Sequence, residues 1–310
     1  MLSLERIKSI VDEEVQLLDP ELQQEAQQCV EDYLLNPKDP HFCTLLRARI
    51  RQLPQMHRKP ARASLKHLSD RISLEAIGNA HMEAQHRRSA RLMYAEQLQA
   101  YSLIQKLGRG VVYFGSARMQ PGQSHYEQAR ILGRDVHRLL GSTSWSGAGP
   151  GLMEAPLYGA REDGGQVGGI KIILEAHECE FEQKISDVFP VGNVVSCKFF
   201  GPRKVGLIDA CMRVSAADKT ALVVLPGGFG TNDEFFEFLT LKQLQKLGSE
   251  HPVPVLLMNY DGFYDRMIDH LHYCVRSGTL AQKNVELFTV CNANDDAIAY
   301  LEEVYTDARS

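Results

Sequence analysis

The chain's chemistry concentrates in residues 226–234, Pro-Gly-Gly-Phe-Gly-Thr-Asn-Asp-Glu. Gly227, Gly228 and Gly230 leave a backbone free for positive φ and for close approach to a ligand. Ahead of them, Ala221 to Leu225 has the length and branching of a buried parallel strand, which Pro226 stops. Behind them, Thr231 is expected to open a helix whose apolar face carries Phe235, Phe238 and Leu239. A strand, a glycine turn and a helix N-terminus together bind phosphate, because unpaired N–H groups and the positive end of the helix dipole converge there. No Gly-Lys-Ser/Thr follows, so the loop is not of the NTP-binding type. Glu234 stands one helical turn past Thr231, where a carboxylate weakens anion binding unless it does chemistry. The competing account is a capping box, with Thr231 at the N-cap and Glu234 at N3, each closing on the other's N–H. Local spacing by itself favours the cap.

Arg203 and Lys204 form the second constellation. Pro202 suits a first helical turn, which puts two cations where the dipole repels them by roughly 0.3–1 kcal/mol each. Such a placement is tolerable with an anion alongside, and Arg203 offers a planar fork for phosphate or carboxylate. For Lys204 a side chain pointing to water serves as well. Gly147-Ala-Gly-Pro-Gly151 is not Gly-x-Gly-x-x-Gly, and no acid sits at the dinucleotide offset. His177-Glu-Cys-Glu-Phe181 lacks the second His of a zinc protease, His81 and His86 share no helical face well, and no Gly-x-Ser-x-Gly is present. No metal and no cofactor are assigned.

From Gly108 onward strands alternate with helices. Strands are expected at Val111–Phe114, Ser142–Trp145, Val167–Leu174, Val194–Phe199, Val253–Met258 and Val285–Val290, besides the one before Pro226. Helices are expected at Ser124–Leu140, through Met153 and Ala160, from near Pro202, at Phe263–Ser277 and at Asn294–Tyr305. The pattern predicts an α/β fold, a Rossmann-like doubly wound parallel sheet with helices on both faces. Three glycine-bearing turns (115–116, 147–151 and 227–230) then fall at the carboxyl ends of strands and converge on one nucleotide cleft. Residues 1–107 read as a helical N-terminal region and 108–310 as the nucleotide-binding domain. In the former, helices are expected at Ser3–Leu18, at Glu21–Leu35 and over 65–107, the last interrupted near Gly78. Residues 1–40 hold ten acids against three bases, while 41–72 hold eight Lys/Arg against Asp70. The basic 47–71 segment reads as a solvated or docking face in preference to an effector site, since nothing aromatic interleaves the bases.

With 310 residues, 44% hydrophobic residues and a net charge of −5, the chain has ample core and no electrostatic footprint for nucleic acid. No apolar run of 18 residues and no signal-like segment occurs, so neither a membrane span nor secretion is expected. Seven scattered cysteines without a Cys-x-x-Cys pair suit reduced packing thiols in the cytoplasm.

Residues 226–234 fit Pro-Gly-Gly-x-Gly-Thr-x-x-Glu, the signature of the Lonely Guy (LOG) family, long labelled lysine decarboxylases. Phe199-Phe200-Gly-Pro-Arg203-Lys204 resembles that family's Arg-Lys motif. Phe114-Gly-Ser-Ala-Arg118 and Gly149-Pro-Gly-Leu-Met-Glu-Ala155 resemble its nucleotide loops, through Gly115, Ser116, Gly149, Gly151, Met153 and Glu154. The resemblance covers about 108–305. Residues 1 to about 100 lie outside the family core, as in its longer, bacterial-type members. Two departures are Gly147-Ala148-Gly149 in place of a glycine triplet and Pro156-Leu157 in place of small or polar residues. The resemblance implies a phosphoribohydrolase that cleaves a nucleoside 5′-monophosphate, of purine or cytokinin type, to free base and ribose 5-phosphate, and implies a homodimer or higher homo-oligomer. It reverses the balance at Glu234 in favour of catalysis. Arg203 would position phosphate or ribose, or help the base leave; Gly227, Gly228, Gly230, Thr231 and Lys204 would hold phosphate or ribose. The alternative is a non-catalytic nucleotide sensor or carrier of a phosphorylated cofactor, to which the carboxylate brings nothing. Lysine decarboxylation is not expected, because the cleft motifs supply no lysine for pyridoxal phosphate.

Overall fold

The computed structural model describes residue 82, residues 85–173 and residues 185–306. The expected helices at 3–18 and 21–35, the basic 47–71 segment, and Cys179 with its neighbours lie outside the described residues. Two compact units divide the chain, Met1–Arg91 and Leu92–Ser310. A helix, α1, runs over 85–107, the last part of the expected 65–107 stretch.

The elements that follow are β1 (Gly110–Phe114), α2 (Ser124–Leu140), β2 (Thr143–Ser146), α3 (Ala155–Glu162), β3 (Val167–Ile172), β4 (Val194–Cys197), α4 (Phe200–Ala210), β5 (Ala221–Val224), α5 (Phe229–Gln243), β6 (Val255–Met258), α6 (Asp265–Arg276), β7 (Thr289–Cys291) and α7 (Asn294–Thr306). Short 3₁₀ turns stand at Gly151–Met153, Tyr260–Gly262 and Gln282–Leu287. Among the described residues, the seven strands form one sheet in the order β4-β3-β2-β1-β5-β6-β7, and every pairing is parallel. The α/β expectation is borne out. Its central strands are buried end to end, GVVYF in β1, ALVV in β5 and VLLM in β6. Continuous apolar runs of this kind mark strands covered on both faces.

Alternation divides the core in two. One face joins Val112, Trp145, Leu222 and Val224 to Ala100 and Leu103 of α1, Leu207 of α4 and Phe235 of α5. The other joins Tyr113 and Val223 to Leu132 of α2, Leu157 of α3 and Leu301 of α7. Helices α2 and α3 approach through glycines: a Cβ at Gly133 would lie 1.9 Å from the Pro156 carbonyl oxygen, and one at Gly159 only 1.8 Å from that of Arg130. The single Trp packs likewise, since a Cβ at Gly168 would lie 2.4 Å from the Trp145 ring.

One strand was misplaced by the sequence reading. Residues 285–287 belong to a 3₁₀ turn, and the edge strand starts only at Thr289. Val285 and Leu287 alternate as in a strand, while Leu287 and Phe288 pack into the core, Phe288 meeting Phe235 edge-on at 5.3 Å between ring centres.

Candidate active site

The chain runs from β1 outward to β4 on one side and then returns to place β5 on the other side of β1. Strand order therefore reverses between β1 and β5, and the crevice beyond the carboxyl ends of the strands at such a point is where open α/β sheets bind ligands. A cleft of about 620 Å³ opens there, walled by the loops after β1 and β2, the end of β3, and the first turns of α4 and α5. Its volume suits a small organic ligand.

Helix α5 starts at Phe229, with Gly228 as N-cap and no side-chain cap. Thr231 consequently lies inside the helix, and the capping-box account is not realised. Glu234 turns instead toward α4, where Nη1 of Arg203 donates to its Oε1. The carboxylate is 3% exposed. Neither Oε2 of Glu234 nor Nε of Arg203 has a hydrogen-bond partner among the described residues. A buried acceptor and a buried donor left over from one ion pair cost free energy unless a ligand completes them. Burial pushes the Glu234 carboxyl above the ordinary carboxylate range, with Arg203 and then Lys204 pulling it back.

Room for that pair comes from a glycine. A Cβ at Gly147 would stand 2.8 Å from Nη2 of Arg203 and 3.1 Å from the Met153 sulfur. Ala148 holds the turn at φ 57°, and a Cβ at Gly149 would meet the Met153 methyl at 2.2 Å. The Gly-Ala-Gly turn is thus shaped to the arginine.

Nine of the expected site residues line the cleft: Gly115, Ser116, Gly149, Met153, Arg203, Gly228, Gly230, Thr231 and Glu234. Four others stand behind its wall. A Cβ at Gly227 would lie 2.1 Å from Oγ1 of Thr231, so the glycine lets that side chain tuck beneath the loop. Gly151, at φ 70°, packs on the first loop, where the Leu152 amide donates to the Ser116 carbonyl at 2.8 Å. Glu154 accepts from the Tyr126 hydroxyl at 3.4 Å, bracing α2. Lys204 points to neither water nor ligand: its ammonium pairs with Asp233 at 3.0 Å and Glu237 at 2.8 Å, tying α4 to α5.

Sequence reasoning missed Phe200, Phe229, Arg118 and Lys171, which also line the cleft. Phe200 and Arg118 stood inside the quoted motifs and could have been carried with them. Lys171, on β3, is 6% exposed, and a charged residue inside a buried strand was the signal for it. A lysine from outside the cleft motifs thus reaches the cleft, and Lys171 is engaged with a partner there.

A family model described as "Possible lysine decarboxylase" matches residues 153–301. The "Cytokinin riboside 5'-monophosphate phosphoribohydrolase LOG" of Oryza sativa subsp. japonica is 29% identical over 195 residues, covering 62% of this chain and 72% of that one. The similarity is to the Lonely Guy family. A second member, LOG4 of Arabidopsis thaliana, bears the same enzyme name and is 28% identical over 201 residues, covering 64% of this chain and 83% of that one. The "Bifunctional cytokinin biosynthesis protein" of Fusarium pseudograminearum (strain CS3096) is 25% identical over 201 residues, covering 63% of this chain, which spans only 40% of the Fusarium protein. Among solved structures, the molybdenum cofactor binding protein of Rippkaea orientalis aligns over 63% of this chain and 97% of that one, with 17% identity and a TM-score of 0.43. The Lonely Guy relatives are thus named as phosphoribohydrolases. Among the described residues no helix is long and apolar enough to cross a membrane.

Proposed function

We propose that the cleft hydrolyses the N-glycosidic bond of a purine or cytokinin nucleoside 5′-monophosphate, with Glu234 and Arg203 as its catalytic residues. One observation carries this reading: a buried carboxylate, held on one oxygen by Arg203, keeps its other oxygen unpartnered beside an uncapped helix N-terminus. The N–H groups of residues 228–231 receive the 5′-phosphate, which the dipole of α5 favours. Anchored there, the ribose is set against Oε2 of Glu234. As the bond from C1′ to the base nitrogen breaks, its electron pair leaves with the base and the sugar becomes cationic, as in glycoside hydrolysis. Glu234 offsets that charge and takes a proton from the water that attacks C1′; a proton delivered to the base completes the balance. Arg203 holds the carboxylate in place, and its Nε–H remains for the ribose or the departing base.

Incubation with AMP, GMP, pyrimidine monophosphates and isopentenyladenosine monophosphate, followed by chromatography, is expected to show free base from at least one. Glu234→Gln is expected to lower that rate by about 10²–10⁴-fold while nucleotide affinity stays nearly constant. Retained turnover overturns the role of Glu234. Tight binding by calorimetry with no base from any nucleotide selects a sensor or carrier instead.

The working protein is proposed to be a homodimer or higher homo-oligomer in the cytoplasm. Exposed Phe200, Val205 and Phe236 on α4 and α5 support the first, and free Cys197, Cys211, Cys274 and Cys291 suit a reducing compartment.

A further inference from the structure

Helix α4 carries Arg203 but starts without any local support. Its N-cap, Phe199, makes no side-chain cap, and its first turn holds no acid. Arg203 and Lys204 add positive charge close to the positive end of its dipole. A helix begun this way has frayed amides and no fixed origin.

The missing support comes from a different element. Glu96, on α1, accepts from the Lys198 amide with Oε1 at 2.9 Å and from the Phe199 amide with Oε2 at 3.3 Å. Both carboxylate oxygens are used, on two consecutive amides leading into α4. Two-point attachment fixes direction as well as position, and charge assistance strengthens it. One turn further along α1, Ala100 is fully buried, and a Cβ added at Gly206 of α4 would lie 3.0 Å from its methyl. Helix α4 is thus gripped by α1 at 198–199 and at 206. Arg203 lies between the two grips, and Phe200, which lines the cleft, follows the first directly.

We infer that Glu96 is a positioning residue for the reaction at Glu234: reaching from α1 to the amides of Lys198 and Phe199, its carboxylate sets where α4 begins and hence where Arg203 meets Glu234. The inference rests on the hydrolase reading for its effect on rate, though not for its effect on Arg203. It gives α1, which precedes the sheet, a part in the chemistry without touching substrate. Misplacement of about 1 Å at a reacting centre costs up to about 100-fold in rate.

The test uses the full chain carrying Glu96→Ala, Glu96→Gln or, as a control on the same helix, Gln99→Ala. The side-chain Nε–Hε resonance of Arg203, assigned by its loss in Arg203→Lys, is expected to shift in Glu96→Ala and to stay in Gln99→Ala. On the monophosphate that the wild type turns over, Glu96→Ala is expected to lower kcat by about 10- to 100-fold with KM nearly unchanged. Glu96→Gln keeps one acceptor and recovers part of that loss. An unmoved Arg203 resonance overturns the inference, and so does a lowered melting temperature with unchanged kcat, the signature of support for the fold alone. If the wild type turns over no monophosphate, the hydrolase reading falls, and the Arg203 resonance still decides the role of Glu96.

Discussion

Glu234 shows why a four-residue pattern can be read two ways. Thr-Asn-Asp-Glu has the spacing of a cap, and the cap fails because the helix begins at Phe229, two residues before Thr231. The glycines that made the loop look anion-binding also let Gly228 serve as N-cap. The partner of Glu234 was not legible, because Arg203 lies 31 residues earlier and meets it only when α4 packs on α5. The pair has a consequence for pH. In the proposed reaction Glu234 must be ionised to offset the sugar's charge, and burial has raised its carboxyl, so base release is expected to be lost as pH falls through a range above that of an ordinary Glu. Arg203 is the foremost of the charges opposing that rise, with Lys204 next, while Glu237 adds to it. Asp233, Arg118 and Lys171 line the same cleft. Arg203→Gln is therefore expected to move the acid limb of the kcat/KM profile to higher pH, on top of any loss in rate. A limb that stays where it was assigns the titration to a group other than Glu234.

Elements were read well where burial on both faces made strands continuous in apolar residues, as in β1, β5 and β6. They were read poorly at the sheet's edge, where Leu287 and Phe288 pack into the core without belonging to a strand. What no periodicity conveys is how closely two helices approach. Gly133 and Gly159 are ordinary helix-weakening residues by propensity, yet they let α2 and α3 touch backbone to backbone. Two effects of Gly159→Ala oppose each other. The change gains at most about 1 kcal/mol of helix propensity. Its new methyl group, however, would sit 1.8 Å from a backbone oxygen that cannot rotate aside, and overpacking of that kind costs about 1–3 kcal/mol. Packing is expected to win, so urea unfolding should show a lower midpoint for Gly159→Ala. A higher midpoint means that the helices separate without penalty.

At the scale of the molecule, the reversal of strand order beside β1 gathers loops from four strands into one cleft, and the alternation of elements was enough to foresee it. The resemblance also puts the helices after Pro202 and Thr231 at a subunit interface beside the cleft. Phe200, Val205, Phe236 and Leu244 are 57%, 44%, 39% and 59% exposed, and Phe229 at the cleft's mouth is 97% exposed. Exposed apolar side chains of this size suit a surface of association, and a second copy of the chain is the proposed occupant. Light scattering coupled to size exclusion is expected to return at least twice the 34.8 kDa chain mass at micromolar concentration. Phe236→Glu is expected to shift the species toward 34.8 kDa, whereas a wild type that elutes as a single chain refutes the assembly.

Trp145 sits wholly inside, on β2, with its ring against Gly168 and its indole N–H on the Gly108 carbonyl at 3.1 Å. Two residues further on, Gly147 already faces Arg203 across the turn that walls the cleft. Because the chain has no other indole, its tryptophan emission comes from one dry spot two residues from the turn that walls the cleft. Binding of an unlabelled nucleotide is therefore expected to register in that emission, in variants that never turn over as well as in those that do.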